Sequence, residues 1–159
     1  MQSQPNHLDL QVVKTMLESM LYEVGEVRGP RGDRWLSIRI CEGAFPLEPP
    51  DRYTAFIRAG EDNYLSIHVN LGKLNLDQPS GAWLSGQVPE MNYRNDVARV
   101  GIERATGAIV IMVDMFLADL RPTPAFLARN IKALESYARS VEELMEASKV
   151  EVEDEGESQ

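Results

Sequence analysis

Hydrophobic positions along the chain keep two different spacings, and the change from one to the other marks out the elements. Leu10, Val13, Leu17, Met20 or Leu21, and Val24 recur at steps of three and four, with Lys14, Glu18 and Glu23 between them. This predicts an amphipathic helix from Asp9 to about Val24, with Asp9 or Asn6 as its cap. Gly25 to Gly32 breaks the pattern with three glycines and Pro30, and reads as a turn. From Arg34 the spacing becomes two. Leu36, Ile38 and Ile40 alternate with Trp35, Ser37, Arg39 and Cys41; Tyr53, Ala55 and Ile57 with Thr54, Phe56 and Arg58; Leu65, Ile67, Val69 and Leu71 with Tyr64, Ser66, His68 and Asn70. These are three strands of an antiparallel meander. A short polar loop at Ala59–Asn63 joins the last two, and the proline-rich stretch Gly43–Pro50 must be an extended connection.

Pro79, Gly81 and Pro89 punctuate the next segment, so Ala82–Val88 reads as a helix of a turn or two. A β-hairpin follows. Val100 and Ile102 alternate with Arg99, Gly101 and Glu103, whereas Ala108 to Ala118 is apolar at every position except Asp114. A strand with so little to offer water on either side is expected to be covered on both. Thr123 and Pro124 then form an N-cap and first turn for a long helix. Its apolar stripe is Leu127, Ile131, Leu134, Ala138, Val141 and Met145, widened by Phe126, Ala133, Tyr137 and Leu144. At about 1.5–3 kcal/mol for each large apolar side chain buried, this helix over the hairpin is expected to supply the largest share of the core.

A chain of 159 residues, 43% hydrophobic, is sized for one domain with a real core. The prediction is α+β: helix, three-strand meander, short helix, hairpin and long C-terminal helix over residues 1–148. Residues 149–159 are almost devoid of apolar groups and are predicted to be a disordered acidic tail. No run is long and apolar enough to cross a membrane. The polar N-terminus has no signal-peptide core, and the single cysteine, Cys41, allows no internal disulfide. A cytoplasmic protein is therefore expected. The net charge is −9, with Glu151, Glu153, Asp154, Glu155 and Glu157 supplying five of the negative charges. Direct nucleic-acid binding is not expected of such a chain. The tail would either keep the protein soluble or attract a client with a basic surface.

Chemistry is sparse. His7 lies in a polar tail, and His68 stands on the polar face of a strand without ligand partners at metal spacing. Glu61 and Asp62 lack a calcium-loop pattern, and no serine sits in a nucleophile elbow. No cofactor, metal or catalytic residue is predicted. Tyr64, His68 and Asn70 share a strand face, and Trp35 lies on the more polar face of its own strand, so a small-ligand site or enzyme around Trp35, Tyr64 and His68 is the alternative to a binding module. Trp83, Met91, Met112 and Phe116 are the candidate dimer or partner surface.

The C-terminal half carries a resemblance. Met91-Asn-Tyr-Arg-Asn-Asp96, the hairpin Ala98 to Asp114, then Thr123-Pro-Ala-Phe-Leu127 and an amphipathic helix resemble YbjN-like proteins. The element order is also similar to that of the small acidic type III secretion chaperones. The resemblance implies a cytoplasmic homodimer that binds a client protein as a chaperone or adaptor, without cofactor or catalysis.

Overall fold

A computed structural model describes residues 9–40, 53–60, 63–117 and 121–157 of the chain. Cys41, the connection Gly43–Pro50, Glu61, Asp62 and His7 lie outside the described residues. The fold is α+β as predicted. Helix α1 (Leu10–Ser19) precedes strands β1 (Val24–Arg28), β2 (Arg34–Ile40), β3 (Tyr53–Ala59) and β4 (Tyr64–Lys73). Helix α2 (Pro79–Arg94), strands β5 (Arg99–Ile102) and β6 (Ala108–Phe116), and helix α3 (Pro124–Glu157) complete it. The six strands form one sheet in the order β1-β2-β3-β4-β6-β5, antiparallel throughout.

Five elements differ from their sequence reading. α1 is capped as predicted, Asp9 Oδ1 accepting from the Gln11 N–H at 2.8 Å, but it stops at Ser19, and Leu21 turns left-handed with φ 69°. Val24 therefore opens a strand rather than closing a helix. The stretch read as a turn is β1, a strand that Gly25 and Glu26 disguise because neither residue type favours strands. Pairing with β2 overrides that local preference, and only Gly29–Asp33 turns, with Gly32 at φ +78°. The meander thus has four strands.

α2 is 16 residues long, not a turn or two. Pro79 sits in its first turn, where its missing N–H is harmless, and Pro89 is tolerated inside while Gly81 and Leu84 are buried. α3 has its predicted cap, the Phe126 N–H donating to Thr123 Oγ1 at 3.2 Å, and runs on to Glu157 through residues expected to be disordered. Adding a residue to an existing helix gains one hydrogen bond for each residue ordered, which is far easier than starting one. β6, finally, is covered by the described helices on one face only. Ile109, Ile111, Val113 and Met115 are buried, whereas Asp114 and Phe116 are exposed.

The core lies between that covered face and the helices. Leu36, Ile38, Ile57, Leu65, Ile67, Ile109 and Ile111 pack with Val13 and Leu17 of α1, Leu84 of α2, and Leu127, Ile131, Leu134 and Val141 of α3. α1 lies against β1 and β2, α3 against β4 and β6, and α2 against α3 and β5. Tyr53 Oη donates to Glu142 Oε2 at 2.7 Å, tying β3 to α3. At the far end of the β5–β6 hairpin, Gly107 has φ +75° and lies so close to Leu74 that a Cβ would overlap the Leu74 carbonyl oxygen. Only glycine fits there.

Candidate functional site

The described helices lie on one side of the sheet, and its other side, the open face, has no described helix over it. Strand register decides what stands on it. Ser37, Phe56, His68, Met112 and Arg99 form one row straight across β2, β3, β4, β6 and β5. Ser66 pairs with Asp114, and Tyr64 with Phe116, in the rows beside it. Trp35 stands on the same face, opposite Val27 of β1.

The rings group in two clusters. Trp35 meets His68 edge-on at 5.3 Å and Phe56 at 6.5 Å, and Phe56 lies 5.6 Å from His68. Trp35 Nε1 donates to Asp33 Oδ2 at 2.5 Å, which anchors the indole to the β1–β2 turn. In the second cluster Tyr64 and Phe116 are 4.9 Å apart, Arg58 lies over the tyrosine ring at 5.9 Å, and Tyr64 Oη donates to Asp114 Oδ1 at 2.5 Å. Asp114, the one polar interruption of β6, is thus an exposed acceptor held in place by a tyrosine. Phe116 is 77% exposed. It lines, with Met112, Val97, Asp96, Arg99 and Asp114, a shallow cavity of about 290 Å³.

His68 is half-buried, and desolvation first, then the nearby Arg58 charge, hold its imidazole below the usual 6.5, with Asp114 opposing them. The folded protein therefore favours neutral His68. Since the unfolded chain takes up that proton more readily, stability falls as pH drops below the ordinary histidine range. We expect the melting temperature to fall less between pH 7.5 and pH 5.5 in His68→Gln than in the wild type. Equal falls in both proteins would contradict it.

Of the four candidate surface residues, the structure brings Met112 and Phe116 together on the open face. Trp83 and Met91 stand apart from them, on α2. Met91 is half-buried against the core, and Trp83 is 39% exposed. Trp35, Tyr64 and His68, the alternative site, do share the open face. Sequence reasoning missed the part played there by Phe56, Arg58 and Arg99, although Phe56 and Arg58 occupy the same period-two positions in β3 that Trp35 and His68 hold in β2 and β4. Among the described residues no group of three or more His, Cys, Asp or Glu side chains is placed to hold a metal ion. No described helix is long and apolar enough to cross a membrane.

No protein-family model matches the sequence, and no curated protein matches it. Solved structures do match. The crystal structure of YbjN from E. coli, a proposed transcription regulator, superposes with a TM-score of 0.60 over 91% of this chain and 94% of that one, at 14% identity. An uncharacterized protein from Methanothermobacter thermautotrophicus gives a TM-score of 0.60 at 13% identity, over 88% of this chain and 98% of that one. The chain therefore has the YbjN fold over about nine-tenths of its length.

Proposed function

We propose that the protein is a non-enzymatic protein-binding module, a dimeric chaperone or adaptor that presents the open face of its sheet to a client. The observation that carries this reading is the open face itself. Two aromatic clusters, Met112 and a highly exposed Phe116 stand on it with no described helix over them. Exposed aromatic and methionine side chains with arginines at their edge are the groups enriched in protein interfaces. The charge of −9 would speed encounter with a basic client, apolar contacts completing the docking. A regulatory role through such a partner accords with the one proposed for YbjN.

The test is capture from a cell lysate with the wild type and with the double variant Met112→Ser, Phe116→Ser. These side chains lie outside the core, so the variant should keep the wild-type melting temperature to within a few degrees and lose the retained client. Retention of the same proteins by both would overturn the reading. The alternative, a small ligand on the Trp35–Phe56–His68 cluster, is favoured by the close ring packing there. In a metabolite screen, a ligand at 100 times its dissociation constant would stabilise the protein by about 2.7 kcal/mol, and Trp35→Ala should abolish the effect.

A further inference from the structure

The two edges of the sheet are treated differently. At the β5 edge the Asn92 side chain, carried by α2, takes both outward backbone groups of Val100: Nδ2 donates to the Val100 carbonyl at 2.9 Å, and Oδ1 accepts from the Val100 N–H at 2.8 Å. The amide imitates one more strand and closes that edge to another chain. The β1 edge has no such cover among the described residues. Gly29 N–H donates to the Asp33 carbonyl at 2.7 Å, so Gly29 and Asp33 are a hydrogen-bonded pair. Counting back along the register of β1 with β2, Val27 and Gly25 turn their backbone groups inward, and Val24, Glu26 and Arg28 turn theirs outward.

We infer that β1 is the homodimer interface, pairing antiparallel with β1 of a second copy about a two-fold axis at Val27 and joining the two sheets into one of twelve strands. The inference rests on the dimeric reading proposed above and assigns its surface. Charge selects both partner and register. With Val27 opposite Val27, Glu26 stands opposite the partner's Arg28, and Arg28 opposite the partner's Glu26. These are the residues whose backbone groups face outward, so the two pairs add four backbone hydrogen bonds as well as two opposite-charge contacts. Centring on Glu26 instead would set two carboxylates face to face. Within one subunit Arg28 lies directly opposite Arg34, which itself pairs with Glu26. Like charges opposed across strands are unfavourable, and the partner's carboxylate relieves them. Leu21, three residues before β1, is 94% exposed and offers apolar area beside the edge. The arrangement leaves both open faces free for clients.

Charge reversal tests this without disturbing the core. In Arg28→Glu two copies oppose Glu26 to glutamate, and in Glu26→Lys they oppose lysine to Arg28, whereas a mixed pair of the two variants restores both opposite-charge contacts. Light scattering at tens of micromolar should give the wild type twice the 17.9 kDa chain mass. Each single variant should dissociate at least about tenfold more readily, and an equimolar mixture should return to the dimer. Thermal melts of each variant establish folding, and recovery of the dimer in the mixture does so independently. A wild-type dimer that both single variants retain would overturn the β1 assignment and leave the dimeric reading intact. A wild-type monomer would overturn both.

Discussion

Leu134→Asp is expected to leave no folded protein. Leu134 is fully buried in the N-terminal half of α3, a helix that packs against β4 and β6. Losing a buried leucine costs about 2–5 kcal/mol before any charge is considered. An unpaired buried carboxylate adds several kcal/mol more, whether it stays ionised or is forced to take up a proton. Together these approach the whole stability of an ordinary domain, about 5–15 kcal/mol. The expected result is loss of a cooperative thermal transition and of soluble expression. Lys132→Asp, on the exposed side of the same helix, should stay within about 0.5 kcal/mol of the wild type. A folded Leu134→Asp protein with an unchanged melting temperature would mean that the core is not organised on α3.

The second large effect belongs to Asn92. Its amide bonds the backbone of Val100 at both ends, and Oδ1 also accepts from Tyr137 Oη at 3.2 Å, so one side chain links α2, the β5 edge and α3. Val100 is 4% exposed, which leaves its N–H and C=O little water to replace the amide. An orphaned buried group costs about 1–3 kcal/mol, so Asn92→Ala is expected to lower stability by about 2–4 kcal/mol. Hydrogen exchange should localise the loss, the Val100 amide exchanging far faster than those of β4. A variant whose Val100 amide keeps wild-type protection would show that other contacts hold that edge. The opened edge should also make the variant more prone to associate, in contrast to the Arg28→Glu variant, which should associate less.

Asn92 shows where sequence reasoning stopped. It stands in Met91–Asp96, a stretch that the resemblance singled out, and yet nothing in the local pattern assigns it a task. Val100 lies eight residues on, across the bend from α2 into β5, and an amide can be matched to a backbone edge only when both are in place. The open face was half legible in the same way. Period two puts Trp35, Phe56, His68 and Met112 each on the more polar or second face of its own strand. That these faces coincide, ring beside ring, follows from register between strands.

What the sequence by itself determined are the elements whose periodicity is strong over many residues: α3 with its stripe and Thr123 cap, β2, β3 and β4 by their alternation, and the β5–β6 hairpin. The α+β class follows from their order. In these elements each residue's preference and its eventual burial agree, so local pattern suffices. Tertiary structure alone decided the rest. β1 exists because β2 offers it a partner, despite Gly25 and Glu26, and α2 runs past Pro89 because Leu84 finds a place in the core. β6 is apolar on both faces, and its composition cannot distinguish a strand covered twice from one covered once. Periodicity reports which side chains share a face, whereas cover depends on where distant helices come to rest. The three described helices all rest on one side.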